Sequence, residues 1–554
     1  MKKFLKWFGI IFGGIIVMII AFIAIVLVRH DMYGFYVSGG PLSKNQSRFD
    51  IVYYGVNLEI LPDDQAIAGF VHVKLKALDD SLDHIELDLI DNFDVDKISD
   101  YNDNNLDFNH DDDKLMIRLK DTAQSNSLID LKIEYEGQPV EALMPPWLGG
   151  FNWSKDSTGS YWVGLSCQGE GAKIWMPCKD HPSDKPDSVA LNITVPEPYF
   201  CAANGLLKNV TRPKPGSQTF HWITHYPINN YDISLNIGKF ERVDSVYVAE
   251  DGKKMPVYFY VLRQSRKGAK KLLGMAVDML YTYRKYYGEY PFIREKFALV
   301  ETDYLGMEHQ TINSYGNNYK YTRVDGMDVD FLMLHEMGHE WWGNKVTPKD
   351  WADLWIHEGI CTYGEALYLR EKVGEEAYHA HLDSIAKFIR NRKPIIPHQN
   401  ANSHEVYSSD IYMKGAWLMH SLRFILGDDV FFKTLKEFAT DSAYTYQNLV
   451  TTNDFIKLIN RNSGHDYSGY LHDYLYTTIL PQVQVDTLND NRYAVSIPNI
   501  DYKLPMEIKT GNTVVRMELG RKSREVVSDI PPVVDPNKWY YKGPGKKMKK
   551  QGAG

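Results

Sequence analysis

The chain has 554 residues, and at roughly 150 residues per domain this length predicts three or four domains. Hydrophobic residues make up 44% and charged residues 24%, which is ordinary for a globular protein and excludes a mostly disordered or collagen-like chain. The net charge of −9 argues against a general nucleic-acid-binding protein, and four cysteines are too few for a disulfide framework.

The first predicted element is a membrane anchor. Residues 7–28 contain no charged side chain, are long enough to span a bilayer, and follow three lysines. Because positive charge tends to stay in the cytoplasm, we expect a cytoplasmic N-terminus and the bulk of the chain on the exported side, periplasmic or extracellular. A cleavable signal peptide is the competing interpretation, but its apolar region is normally shorter and ends in small residues. We therefore predict that residues 1–34 are a Lys-rich start and an uncleaved transmembrane helix.

Residues 45–250 have the pattern of a β domain. Segments such as Phe70–Leu75 and Ile129–Tyr135 alternate apolar and polar side chains, which is the period of a half-buried strand. Turn-forming runs rich in Asn, Asp, Pro and Gly separate these segments. The pattern predicts a large antiparallel β domain.

Residues 251–478 are predicted to be mainly helical, because apolar residues recur there at helical spacing. The predicted helices are Lys267–Tyr286, Asp328–Trp342, Leu354–Glu371, Ala377–Arg390, Tyr412–Leu426, Val430–Ala439 and Thr452–Asn462. A strand pattern returns in residues 479–545, which predicts a small C-terminal β domain, and residues 546–554 are interpreted as a frayed tail. The predicted fold class is multidomain α+β.

The chemistry is concentrated in the segment His335-Glu336-Met337-Gly338-His339. Residues i and i+4 lie on the same face of a helix, so His335 and His339 can present two imidazoles to one metal ion. Glu336 points elsewhere on the helix, about 100° from His335, and can reach a water molecule beside the metal. A pair of ordinary surface or core histidines is the competing interpretation.

A second helical segment supplies a third ligand. Glu358 lies in the segment Trp355-Ile356-His357-Glu358-Gly359, with eighteen residues between it and His339. A helix–turn–helix of that length can return Glu358 to the histidine pair. Two imidazoles and a carboxylate leave a fourth position open, which is typical of a catalytic zinc site, so we predict one Zn²⁺ per chain.

With these motifs the sequence resembles the gluzincin aminopeptidases, the family of aminopeptidase N and leukotriene A hydrolase. Further stretches carry the resemblance from about residue 50 to residue 541: Leu305-Gly306-Met307-Glu308-His309, Gln168 followed by Pro177–Pro182, and Tyr407–Gly415. The resemblance implies a thermolysin-like catalytic domain. It also implies a short form of the family that lacks the long C-terminal helical domain.

The resemblance implies roles for the site residues. Glu336 would act as general base and then acid, and Tyr412 would donate a hydrogen bond to the oxyanion. Glu308 with Gln168 would hold the free N-terminal ammonium of a peptide. Three further residues would line the substrate: Gly306, Met307 and Tyr407.

The sequence departs from the family pattern in three places. Leu305 replaces a glycine and His309 an asparagine in the exopeptidase motif, and we expect both to reshape the pocket for the first side chain of the substrate. We also expect His309 to add charge near the ammonium at low pH. His404 stands where the epoxide-hydrolysing branch has an aspartate, so that activity is not predicted.

The leading hypothesis is a membrane-anchored zinc aminopeptidase that acts on peptides with a free N-terminus. A zinc endopeptidase with the same metal site and a non-catalytic relative used for binding are the alternatives. Predicted partners are peptide substrates and, through residues 7–28, a lipid bilayer, with no nucleic acid. The sequence does not indicate an oligomeric state.

Overall fold

The computed structural model describes residues 36–542. The predicted membrane anchor, residues 7–28, and the predicted tail, residues 546–554, therefore lie outside the described residues. Between residues 36 and 542, no helix is both long enough and apolar enough to cross a bilayer.

The N-terminal part is built from three sheets. The largest has seven strands, in the spatial order Leu206–Thr211, Ser217–Ile223, Ser188–Pro196, Phe49–Leu61, Ala66–Ala77, Leu128–Gly137 and Phe93–Asp100. A second sheet has the order Phe200–Ala203, Leu235–Gly238, Tyr161–Ser166 and Gly150–Lys155. A third has the order Leu82–Asp88, Lys114–Ala123 and Phe108–Asp111.

The prediction of an antiparallel domain is wrong for one pair of strands. Phe49–Leu61 pairs in parallel with Ser188–Pro196, with Tyr53 opposite Ser188 and Glu59 opposite Thr194. A parallel pair needs a long connection, and more than a hundred residues separate these strands in the chain. Alternation within a strand reports which face is buried, not which partner strand lies beside it.

A five-stranded mixed sheet connects the β domain to the helices. Its spatial order is Phe240–Val248, Lys254–Leu262, Phe297–Glu301, Asn313–Tyr315 and Gly306–Met307. The predicted domain boundary after residue 250 falls in the turn between the first two of these strands. Gly306–Met307 lies at the edge of the sheet and pairs antiparallel with Asn313–Tyr315, which leaves its other edge open to the cleft.

The helices lie where periodicity predicts them, with differences at their ends. They are Arg266–Tyr287, Phe331–Gly338, Trp355–Lys372, Glu375–Ala386, Ser403–Val406, Ser409–Leu426, Asp428–Thr440, Thr452–Ser463 and Ser468–Tyr476. The helix that carries His335 is shorter than predicted and ends at Gly338, although His339 still has a right-handed helical backbone. The helices Ser403–Val406 and Ser468–Tyr476 were not predicted.

The helix Phe331–Gly338 is fixed at its start by Asp330. The Asp330 carboxylate accepts a hydrogen bond from the Met333 amide at 3.1 Å and another from the Tyr315 hydroxyl at 2.6 Å. The first bond caps a free N–H group of the helix. The second bond ties the helix to the mixed sheet, so the position of the helix relative to the edge strand is fixed.

Two small sheets and a hairpin complete the described chain. The C-terminal sheets contain Gln484–Asn489, Arg492–Ser496 and Arg524–Val527 in one, and Thr513–Leu519, Leu504–Thr510 and Val533–Val534 in the other. The hairpin Thr322–Val324 and Met327–Val329 precedes the first metal-site helix.

Candidate metal centre and active site

The structure brings the three predicted metal ligands together. Ligand atoms of His335, His339 and Glu358 all lie within 4.8 Å of one another. Glu358 Oε2 is 3.2 Å from His335 Nε2 and 3.4 Å from His339 Nε2. The two Nε2 atoms and one carboxylate oxygen therefore converge on one point.

Contacts behind the two imidazoles fix their tautomers. His335 Nδ1 donates to Glu365 Oε1 at 2.9 Å, and His339 Nδ1 donates to the backbone oxygen of Trp342 at 3.0 Å. Carbonyl oxygens only accept hydrogen bonds, and so do ionised carboxylates, so the proton of each neutral ring sits on Nδ1. Each Nε2 then presents a lone pair to the centre, which is the arrangement that metal-binding histidines use.

The electrostatics of this group favour a bound cation. Burial lowers the pKa of His335, but the carboxylates of Glu358 and Glu365, which accept hydrogen bonds from the charged ring, outweigh this and raise the pKa well above its usual value. Burial opposes ionisation of Glu358, yet His339 and His335 lower its pKa. A buried site that stabilises positive charge so strongly, with two imidazoles and a carboxylate, fits Zn²⁺.

Glycines at two helix contacts allow this convergence. A Cβ atom on Gly338 would lie 3.1 Å from Cys361 Sγ, so the helix with Glu358 approaches the histidine helix closely. On its other side the same helix crosses Ser409–Leu426, where a Cβ on Gly359 would lie 2.8 Å from the Gly415 Cα. The second crossing brings Tyr412 to the metal ligands.

Glu336 lies against the edge strand. A Cβ on Gly306 would lie 2.6 Å from Glu336 Oε1 and 2.8 Å from Leu332 Cδ1, so a glycine is needed for this approach. Burial is the main cause that raises the pKa of Glu336 to about 8, and Glu308 adds to it. A bound cation would lower this pKa, which leaves Glu336 able to exchange a proton near neutral pH.

Glu308 forms one end of the site. Its carboxylate is 4% exposed and accepts hydrogen bonds from Gln168 Nε2 and, at 3.1 Å, from the Tyr231 hydroxyl. Burial raises its pKa, and His339 opposes that shift. Both side-chain donors are neutral, so neither compensates the charge of the carboxylate.

Two tyrosines connect the metal group to Gln168. The Tyr412 ring stacks on His335 with a centroid distance of 5.8 Å, and its hydroxyl is 2.7 Å from that of Tyr407. The Tyr407 hydroxyl reaches Gln168 Oε1 at 3.5 Å. Burial, with the nearby Glu358, raises the pKa of Tyr412 well above its usual value, so this hydroxyl remains a proton donor.

All the predicted site residues border one cavity of about 210 Å³. Its lining is Pro146, Trp147, Gln168, Leu305, Gly306, Met307, Glu308, Leu332, His335, Glu336, His339, Glu358, Tyr407 and Tyr412. The amine-binding, base and oxyanion candidates therefore share a space of small-molecule size with the metal group.

Two residues singled out by the sequence do not reach this cavity. His309 is fully buried, contacts Ser314 Oγ at 3.3 Å, and burial lowers its pKa to about 3. The expectation that His309 charges at mildly low pH beside the substrate is therefore wrong, because this ring stays neutral. His404 is exposed on the helix Ser403–Val406. The four cysteines are buried and free.

Sequence reasoning missed the residues behind the ligands. Glu365 also accepts from His381 Nε2 at 3.2 Å, and the His381 ring stacks on Phe331 at 4.9 Å. Glu365 follows Glu358 by two helical turns on the same helix, a spacing that could have revealed it. His381 lies on another helix, and no local pattern connects it with the metal group.

Comparison with known proteins assigns both halves of the chain to one family. The profile of the peptidase M1 N-terminal domain matches residues 51–231, and that of the peptidase family M1 domain matches residues 273–474.

Curated relatives bear the names of aminopeptidases. Leucine aminopeptidase 2 of Vanderwaltozyma polyspora is 25% identical over 85% of this chain and 72% of its own length. Aminopeptidase N of Haemophilus influenzae is 21% identical over 60% of this chain and 40% of its own length. The probable aminopeptidase 2 of Sulfurisphaera tokodaii is 24% identical, and the chain spans 53% of it. The chain thus spans about half, or less, of several relatives.

Solved structures share the fold. The M1 zinc metallopeptidase of Deinococcus radiodurans superposes with a TM-score of 0.66 at 22% identity, covering 79% of this chain and 96% of that one. A variant of the same metallopeptidase was solved with a Tyr-Ser-Ala substrate, and its TM-score is 0.67. Together with the two matching profiles, which cover the β domain and the metal-site helices, these likenesses show that the chain belongs to peptidase family M1.

Proposed function

We propose that this protein is a zinc aminopeptidase that hydrolyses the first peptide bond of peptides with a free N-terminus. The observation that carries the proposal is the buried Glu308 carboxylate at one end of the cavity that holds the metal ligands. A free ammonium group can supply the positive charge that this carboxylate lacks. An acetylated amine is uncharged and cannot supply it. The names of the curated relatives support the same activity.

Each site residue has a separate role in the reaction. His335, His339 and Glu358 would hold Zn²⁺, which would supply Lewis acidity for a carbonyl oxygen and for water. Glu336 takes a proton from the attacking water and delivers it to the leaving amine as the C–N bond breaks. The Tyr412 hydroxyl donates a hydrogen bond to the oxygen that becomes negative.

The edge strand orients the peptide. Gly306–Met307 has one free edge, and an extended peptide can pair its backbone with that edge. With the ammonium at Glu308, Gln168 and Tyr231, only the first peptide bond lies beside the metal ligands. This restriction separates an aminopeptidase from an endopeptidase, which needs no amine anchor.

The test compares free and N-acetylated forms of the same peptides in the presence and absence of a chelator. We expect chelator-sensitive cleavage of the free forms and none of the acetylated forms. The Glu308→Ala variant should raise KM strongly for free peptides, while the matched control Glu376→Ala, an exposed glutamate on another helix, should not. Equal cleavage of both forms would instead support the zinc endopeptidase.

A non-catalytic relative remains the second alternative. It predicts well below one zinc per chain and no turnover. Metal analysis of the purified protein therefore distinguishes it from both enzymes, and the Glu336→Gln variant provides a matched protein in which the metal ligands are intact but the base is lost.

We also propose that residues 7–28 anchor the protein in a membrane, with the N-terminus in the cytoplasm and the catalytic domain on the exported side. The proposal rests on the uncharged apolar run and the three lysines before it. Membrane fractionation and protease protection test it. We expect the full chain in the membrane fraction and the chain without residues 1–34 in the soluble fraction. Cleavage after the apolar run would contradict an anchor and indicate a signal peptide.

A further inference from the structure

Leu305 is an unusual side chain for its position in the cleft. It directly precedes the edge strand Gly306–Met307, is 41% exposed, and borders the cavity of the metal group. Apolar side chains that line a ligand cavity are the ones that a bound ligand covers, so a substrate in this cavity can bury Leu305.

Two contacts align the edge strand with the metal-site helix. Glu308, at one end, lies beside His339, because their ligand atoms are within 4.8 Å of one another. Gly306, two residues earlier, lies against Glu336 and Leu332. The strand therefore runs along the helix, from Glu308 at the His339 end to Leu305 at the Leu332 end.

This alignment fixes which part of a peptide meets Leu305. In the binding mode proposed above, the ammonium lies at Glu308 and the bond to be cut lies beside Glu336, the base. The peptide continues past Glu336, so its second residue lies beside Gly306 and faces Leu332, one helical turn before Glu336, and Leu305. The sequence-based expectation placed Leu305 at the pocket for the first side chain, whereas this alignment favours the second.

We propose that Leu305 and Leu332 form an apolar pocket for the side chain of the second residue of the peptide. The enzyme then prefers peptides whose second residue is large and apolar, and it disfavours an acidic second residue because an apolar pocket offers a buried carboxylate no partner. The inference rests on the proposed aminopeptidase function and adds a substrate class to it.

The experiment uses the holoenzyme and tripeptides Leu-X-Ala, with X as Leu, Phe, Gly or Asp. Burial of a large apolar side chain should raise kcat/KM for X = Leu or Phe about tenfold or more over X = Gly. The Leu305→Ala variant should reduce this preference several-fold. Leu78→Ala, an equally conservative change at an exposed leucine of the N-terminal domain, should leave it unchanged.

A second series separates the pocket from a general loss of function. With the second residue fixed as Leu and the first residue varied, Leu305→Ala should lower every rate by the same factor and keep their ratios. Similar rates for all X, or an unchanged preference in Leu305→Ala, would overturn the pocket alone. Failure to cleave any free-amine peptide would overturn the proposed function, and the pocket with it.

Discussion

At the scale of single residues, the metal group depends on side chains that never touch the metal. Glu365 holds His335 in one tautomer and is held in turn by His381, whose ring lies flat on Phe331. A ligand oriented in this way loses less freedom when it binds a cation. The other imidazole depends on a backbone oxygen, which no substitution of a side chain removes.

Glu365→Ala should weaken zinc binding about 10–100-fold, because His335 loses the acceptor that sets its tautomer and orientation. Competition with a chelator of known affinity measures the change. Glu371→Ala, on the same helix but paired with Lys285 on the surface, is the control. An unchanged zinc affinity in Glu365→Ala would show that packing alone orients the ring.

Asp353 gives a prediction for stability against pH. Burial is the main cause that raises the pKa of this carboxyl to about 6, well above the value expected in the unfolded chain. Asp353 stays protonated to a higher pH in the folded state than in the unfolded chain. Its stabilising contribution is therefore complete below about pH 4 and is lost as pH rises through 6. The Asp353→Asn variant, which can still accept from Thr452, should flatten the pH dependence of thermal unfolding between pH 4 and 6. An identical slope in both proteins would refute this assignment.

At the scale of elements, the crossing of two helices at Gly359 and Gly415 sets the position of Tyr412. The helices are in contact through backbone atoms, and Tyr412 lies less than one turn before Gly415. Any side chain at this crossing must push the helices apart, because backbone cannot move aside as a flexible side chain can.

Gly415→Ala should destabilise the protein by about 1–3 kcal/mol and lower kcat more than it raises KM, since the oxyanion donor shifts while the amine anchor stays. Thermal unfolding and peptide kinetics measure the two effects. Gly274→Ala, in a helix where a Cβ meets no atom within 4 Å, is the control. Full activity in Gly415→Ala would mean that the tyrosine position tolerates the separation.

Some elements of this site can be predicted from the sequence, and others cannot. Periodicity finds the helices with His335 and Glu358, because an amphipathic pattern is local, and eighteen intervening residues suffice to predict their meeting. The edge strand Gly306–Met307 has only two residues, and its pairing with Asn313–Tyr315 leaves no periodic pattern. The contact of Tyr231 with Glu308 joins residues far apart in the chain, so neither propensity nor spacing could predict it.

At the scale of the whole molecule, the proposed amine-binding site is shared between the two parts of the chain. Gln168 and Tyr231 come from connections between the strands of the N-terminal β domain, and Glu308 directly follows the edge strand Gly306–Met307 of the mixed sheet. Residues 38–40 join the same parts: the Ser38 amide donates to the Gly169 oxygen at 2.9 Å, and its own oxygen accepts from Ser403 at 3.0 Å. The segment therefore ties the Gln168 loop to the short helix Ser403–Val406 that precedes Tyr407.

A truncation series tests this tie. Removal of residues 1–35 should leave melting temperature and KM close to those of the full chain. Removal of residues 1–41 also deletes the Ser38 and Gly40 hydrogen bonds, so we expect a lower melting temperature and a higher KM. Identical behaviour of both truncated proteins would show that the segment contributes nothing to the cleft.

Because Ser38 is hydrogen-bonded to Gly169, next to Gln168, the proposed membrane anchor would limit the distance between the cleft and the membrane. With residues 7–28 in a bilayer, as proposed, only residues 29–35 separate the lipid from residue 36. A linker of this length spans at most about 25 Å when fully extended. Catalysis would then happen within a few nanometres of the membrane surface. Large folded proteins would be excluded from that narrow layer. Short peptides that diffuse along the lipid surface would be the expected substrates.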